Sequence, residues 1–553
     1  MSRPREERKT AVQTLVSQVR PLLKSKRSVV PVSSPIQVWP HDPWTTKPDT
    51  GQWLLSGLVQ YPAGFEAAVE AFWSVENCVT RHNFSWLCDL KAIGGDQARQ
   101  SARILVASWL DKYRSSKRKS QNGSAFSESA VVARRVLALL QSYDFHGASA
   151  SENYQSLVSY LIMRDGSYLY KKISGGLVNI SGTKDYFYES CSLITAALCL
   201  EDHLEWVDTG EQNLLLALDV QVLQDGGHIS RSPQRLVDVL KHCLDLRRLY
   251  QDVNQPFPEG VQLAIDRMAQ ALKFFRYIDK GLAVFHGTQE GDEKNLDLIL
   301  HQTGQNKKIV KSLPNSGYER LTQGRSIVMV DVGNAPSAPF DRQAHLAPLC
   351  FGFSHGKDRV VVNCGTHAQN AEWADALRRT SAHSTLSLDY RDVMDIKLDG
   401  GIKNRPTEII SERSDEKGAI LLEAMHDGYM PHAGLKHVRR VYLSEKGQDI
   451  RGEDSLFFDG GVLGAPHQAS IRFHLHPKVR VSLVRNGESA LLRLFSGVGW
   501  RFQQSGARME LEDSVYMGYE SKSATPVKTK QLVLYFDVES EATKVKWAFQ
   551  RDM

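Results

Sequence analysis

Near residue 315 the hydrophobic pattern of this 553-residue chain changes period, and that change restricts its fold more than any other feature. From about 66 to 280, apolar residues recur at three-to-four spacing, as in Phe65–Val79, Glu128–Ser142, Tyr154–Leu169, Tyr188–Glu201, Gln234–Gln251 and Gly260–Arg276. Such spacing gives each helix one apolar stripe to bury. Ser232 and Pro233 supply a cap and a first-turn residue ahead of Gln234. After 315, short segments alternate with period two between Gly, Asn and Asp turns, among them Ser326–Val332, Arg359–Cys364, Ala419–His426, Ser470–Leu475 and Lys530–Phe536. Helices followed by strands predict a multidomain α-then-β chain, with paired helices in a solenoid or an (α/α) toroid and then an antiparallel β-sandwich. The expected divisions are a basic arm and extended Pro/Trp segment over 1–64, a helical domain over 65–314 and a sandwich over 315–553.

Composition narrows the function classes. A hydrophobic content of 42% and a charged content of 24% are those of an ordinary globular protein. The net charge of +5 is local: residues 1–27 hold eight Arg and Lys against two Glu, leaving the rest of the chain at −1. No basic cluster interleaves with aromatics as a nucleic-acid reader requires, so no nucleic-acid partner is expected. Seven scattered cysteines without a C-x-x-C argue against a disulfide framework or a zinc finger. No run approaches ~18 apolar residues, so no membrane span is expected. The basic N-terminus is not followed by an apolar signal core, which points to the cytoplasm. The Pro/Trp segment reads as an extended strap, with Trp39, Trp44 and Trp53 either anchoring it or stacking on sugar rings. Oligomeric state is left open by the sequence.

The residues richest in chemistry lie between Asn363 and Asp389. A strand Arg359–Asn363 enters a Gly turn; Trp373 and Arg378-Arg379-Thr380 follow; the next strand then sets His383, Thr385, Ser387 and Asp389 on one face. Elsewhere stand Gln224-Asp-Gly-Gly-His-Ile-Ser-Arg-Ser-Pro233, His426-Asp-Gly-Tyr429, Gly434 with His437 and Arg439, Gly452-Glu-Asp454, and Arg472-Phe-His-Leu-His-Pro477. In order and spacing, over roughly 65–540, these motifs resemble the heparinase II/III-like polysaccharide lyases.

That resemblance implies a helical toroid on a β-sandwich, with a glycan groove where they meet. It implies β-elimination on an acidic, uronate-containing polysaccharide or oligosaccharide. A polar or cationic group offsets charge on the uronate, a Tyr or His takes the neighbouring proton, and an acid protonates the departing oxygen. It also implies a cell-envelope or periplasmic setting, against the cytoplasmic reading from the missing signal. Carried over residue by residue, His383, His228, Tyr188 and Arg231 are the candidate catalytic groups, and Arg378, Arg235 and Tyr186 the candidate substrate contacts. His345, Asn363 and His383 fall where relatives hold Zn2+. Asn363 replaces the anionic ligand there, so a weakened metal site, or none, is expected. Gln343 lies where relatives can carry a catalytic His, Arg231 replaces a Glu, Lys184-Asp185 stands where an Asn-His pair is usual, and no Tyr follows Pro233.

Each candidate has a plainer role beside it. His383 and His345 can be strand or loop histidines held by hydrogen bonds, and His228 a turn residue set by Asp225-Gly226-Gly227. Arg378 and Arg379 can brace Glu372 or Asp375, and His474 and His476 can form a solvated strand face rather than a metal pair. The function expected is a uronate-glycan lyase. The alternative is a catalytically reduced glycan-binding protein in polysaccharide production or envelope upkeep. A hydrolase using Asp185 and Glu189 is a third reading.

Overall fold

A computed structural model of the chain describes residues 35–44, 48–74, 78–113, 128–174, 186–200, 203–304, 308–367, 370–459, 466–519, 525–539 and 542–552. The basic arm and Lys184-Asp185 fall outside these residues. The chain forms two compact units, one of residues 1–218 with 242–261 and the other of 219–241 with 262–553.

The first unit is helical. Its helix Ser129–Gln141 carries apolar residues on every side and is buried along nearly its whole length, against Phe187–Cys199 and Glu152–Ser174. That helix carries one cation, Arg135, into the interior. Arg135 lies 2.7 Å from Asp165 through Nη2, donates to the His82 carbonyl at 3.0 Å and stacks 4.4 Å above Trp109. Residues 35–44 run without regular structure, but the expected extended segment does not continue to 64, because Pro48–Val59 is a helix. Trp39 packs on Tyr143, and the buried Trp44 donates through Nε1 to Asp245 at 2.8 Å. Trp53, on the helix Pro48–Val59, is exposed.

The second unit holds two large antiparallel sheets and a two-stranded one, Asp395–Ile396 with Ile402–Lys403. In order, the first pairs Ser312–Leu313, Tyr318–Gln323, Ser326–Asp331, Phe351–His355, Asp358–Val362, His467–Leu475, Val527–Val538 and Arg508–Tyr516, with Leu386–Leu388 also on His467–Leu475. The second runs Arg480–Val484, Ser489–Arg493, Gly499–Ser505, Ala542–Arg551, Asp449–Phe458, Leu435–Leu443, Ala419–Tyr429 and Ile409–Glu416. Leu435–Leu443 shows strict alternation of buried and half-buried residues, the mark of one face turned inward. Every residue of Ser326–Asp331 is buried, so that strand is covered on both faces. The core joins the sheets: Phe351 of the first stacks on Trp547 of the second with ring centroids 5.5 Å apart. All seven cysteines are free thiols.

Two loops from the preceding chain belong to this unit, Val222–Ser232 and Arg276–Glu290, each closed by a short antiparallel bridge. They bring His228, Arg231 and His286 to the first sheet.

Candidate functional site

Asp331, the last residue of its strand, is the hub. Its carboxylate accepts from the Arg231 guanidinium on one oxygen and from His286 Nε2 at 2.8 Å on the other. Arg231 sits in the left-handed region at φ 59°, which turns its side chain back under the loop. Its Nε donates to Ser316 O at 2.7 Å and Nη1 to Gly333 O and Asn334 O at 2.9 and 3.0 Å. Nη2 donates to Gly317 O at 2.9 Å and to Asp331. A guanidinium has five N–H donors, and here all five have protein acceptors. A Cβ at Gly333 would come within 2.7 Å of Nη2, so this position must be glycine. Burial opposes ionisation of Asp331, but Arg231 and His286 together outweigh it and hold the carboxyl below its ordinary value.

Three histidines continue inward from Asp331. His286 carries its proton on Nε2, so its Nδ1 accepts the His345 backbone N–H at 2.9 Å. Both ring nitrogens of His345 face backbone N–H groups, those of His286 at 3.1 Å and Gly287 at 3.0 Å. A neutral imidazole has one acceptor nitrogen, and a protonated one has none. His345 lies against His383 with ring centroids 4.1 Å apart. His383 Nε2 donates to Leu377 O at 3.0 Å, while its buried Nδ1 has no partner. Burial lowers the pKa of all three, that of His383 to about 3.

The zinc implied by the resemblance does not fit these residues. The Asn363 oxygen accepts from Ser384 N and its amide donates to Val284 O, both at 3.2 Å. With the nitrogens of His345 turned to N–H groups, only His383 Nδ1 offers a lone pair, and a zinc site needs three or four donors.

The remaining sequence candidates separate. His228 is a turn residue, its Nδ1 2.7 Å from Ser230 Oγ and its Nε2 donating to Gln221 Oε1 at 3.1 Å; burial lowers its pKa to about 3. Asp225 shapes that loop, accepting from Gly227 N at 3.0 Å and from Ser316 N and Oγ at 2.7 Å. Arg378 spends its donors on the carbonyls of Ala344, Gly400 and Asp341. Arg379 pairs with Asp375 at 2.8 Å. Arg235 is half-buried in the first turn of Pro233–Asp252. Tyr186 and Tyr188 are buried in the first unit, where Tyr188 meets His242 edge-on and carries Arg134 4.6 Å above its ring. His474 and His476 are buried, not solvated: Ser514 and Ser381 hold the first, and Glu290 and Tyr519 reach the second.

Sequence reasoning passed over the cluster around Glu290. Its carboxylate accepts from Tyr516 Oη at 2.5 Å and lies 3.3 Å from His476 Nε2, which is 2.8 Å from Tyr519 Oη. Burial would raise the pKa of Glu290, but Arg359, His476 and Tyr516 draw it down to about 2. A cavity of about 480 Å³ opens beside it, where Lys280, Lys357, Arg359 and Lys478 alternate with Asp279, Glu290, Glu293 and Asp358, and the 79% exposed Phe495 forms part of the wall. Glu290 and His476 are 186 residues apart, so no spacing could announce the pair. Asp331 and His286 were equally hidden, at the end of one apolar run and in the turn after another.

A helical region followed by two facing antiparallel sheets is the fold class of toroid-plus-sandwich polysaccharide lyases. Heparinase III matches at TM-score 0.68 with 13% identity, over 85% of this chain and 76% of that one. Heparan sulfate lyase HepC from Pedobacter heparinus matches at TM-score 0.58 with 14% identity, over 96% and 85%. Residues 305–548 match the heparinase II/III-like C-terminal family model. FtsZ-localized protein C of Caulobacter vibrioides is 29% identical over 536 residues, 92% of this chain and 89% of that protein. Among the described residues no helix is long and apolar enough to cross a membrane.

Proposed function

We propose that this chain is a catalytically reduced heparinase II/III-like protein that binds an acidic saccharide without cleaving it. The observation that carries this reading is the burial and internal engagement of the cations and imidazoles inherited at lyase positions. Arg231 has no N–H left for a uronate, Arg378 is clamped by three carbonyls, and His345 and His383 are buried and neutral. β-Elimination needs a base and a cationic contact that reach substrate. The cavity beside Phe495 supports binding instead: an exposed ring for a sugar face, with Lys357 and Lys478 at hand for a carboxylate. A relative named for its localization with FtsZ, and not for cleaving a glycan, is in keeping with this reading.

Uronate polysaccharides incubated with the protein and read for ultraviolet absorbance of an unsaturated uronate test the first half. No chromophore is expected from any polymer. Calorimetric titration with the same oligosaccharides tests the second half, with Phe495→Ala and Lys478→Ala each weakening binding by about three- to tenfold. Chromophore formation that disappears in His383→Ala would restore the lyase reading.

A further inference from the structure

Asp389, His432 and His467 come from three separate elements, and nothing in the reading above uses them. Asp389 follows the strand Leu386–Leu388; His432 lies in the short helix Met430–Ala433; His467 opens the strand His467–Leu475. His432 Nε2 is 3.0 Å and His467 Nδ1 2.7 Å from the same oxygen, Asp389 Oδ2. All three donor atoms lie within 4.8 Å of one another.

From this geometry we infer a divalent metal site, zinc being the ion it suits, held by Asp389, His432 and His467. Two imidazoles and one carboxylate are a donor set zinc takes, with water completing a tetrahedron. Bonds of 2.0–2.2 Å place tetrahedral ligand atoms about 3.3 Å apart. The separations of 2.7 and 3.0 Å are therefore short by about half an ångström, within side-chain adjustment.

The carboxylate is aimed before any ion arrives. Its other oxygen accepts from Gln468 N at 3.0 Å, and the Asp389 backbone N–H donates to Gln468 O at 2.7 Å. Such outer hydrogen bonds fix the orientation of a ligating carboxylate. Asp389 and Tyr390 both adopt positive φ, 50° and 56°, a conformation side chains resist and one that turns this carboxylate toward the histidines. The register shift between His426 and Tyr429 releases the chain into the helix that carries His432. Side-chain exposures of 25%, 33% and 17% for Asp389, His432 and His467 leave an entry path and room for a water ligand.

A bound ion would have a mechanical effect. Leu386–Leu388 and His467–Leu475 belong to the first sheet, whereas Met430–Ala433 joins two neighbouring strands of the second. The three ligands thus span both layers of the sandwich, and the ion would cross-brace them. This site is separate from His345 and His383 and does not depend on the saccharide reading.

The test is zinc titration of untagged full-length protein against a chromophoric chelator, with thermal unfolding in parallel. One zinc per chain is expected, together with a rise in Tm on adding zinc. His432→Gln combined with His467→Gln should abolish both, and Asp389→Asn should weaken binding about a hundredfold. Asp389→Asn alone decides the matter if the double variant does not fold. His383→Gln should bind zinc as the parent does. Absence of zinc uptake by the parent chain overturns the proposal. So does unchanged affinity in the Asp389 or double variant, or loss confined to His383→Gln.

Discussion

Replacing Asp331 by Asn preserves shape and removes one charge, so it isolates the energetics of the hub. Arg231 would keep four carbonyl acceptors, those of Ser316, Gly317, Gly333 and Asn334, but would lose its anion. Removing one partner of a buried ion pair costs about 3–5 kcal/mol, because the other charge stays behind uncompensated. The new amide adds a second cost. Its single oxygen cannot serve both Arg231 Nη2 and His286 Nε2, and its N–H groups face the donor that is left, a penalty of about 1–3 kcal/mol. The two terms sum to about 4–8 kcal/mol, and the four carbonyl dipoles that still stabilise the guanidinium offset part of it, so a loss of at least about 3 kcal/mol is expected. Against a typical total of about 5–15 kcal/mol, that is a large share of the unit's stability. Hydrogen exchange of the strands Ser326–Asp331 and Phe351–His355, read by mass spectrometry under native conditions, reports the opening free energy where the hub sits. A change below about 1 kcal/mol in those strands would refute the account of Asp331 as the anion that Arg231 requires.

Gly226 has φ 84°, and a Cβ there would lie 2.0 Å from the Arg267 carbonyl oxygen, so Gly226→Ala should cost about 2 kcal/mol or more; an unchanged Tm would contradict it. Acid should weaken the fold early. Burial holds His228, His383 and His474 neutral down to a pKa of about 3, against 6.5 for the free side chain. The unfolded chain therefore binds protons that the folded one refuses. Stability is full above pH 6.5 and falls as pH drops below it, by up to about 1.4 kcal/mol per pH unit for each such histidine. Urea midpoints measured from pH 7 to 4 should decline monotonically, and a flat profile would rule the account out.

The division into helices and strands was legible because periodicity is a local property, repeated within each segment. The Asp225-Gly226-Gly227 loop was legible too, since a backbone that needs positive φ advertises itself as glycine. The hub was not. Asp331 reads as the polar end of the apolar run Ser326–Asp331, and its partners lie 45 and 100 residues away. His474 and His476 misled in the opposite sense. Two histidines beside a proline suggest an edge in water, yet serines enclose one and Glu290 with Tyr519 the other. Residue type marked where chemistry could be; only the distances separated groups that hold the fold from groups that face a cavity.

Because residues 219–241 belong with the sheets while 242–261 return to the helical unit, the change of texture near 315 is not a seam. A fragment begun there would carry Asp331 without its cation, and its complement would carry Arg231 without its anion. During synthesis the cation emerges first and waits 100 residues for its partner. The sandwich is thus not a cassette that recombination could graft onto another protein intact.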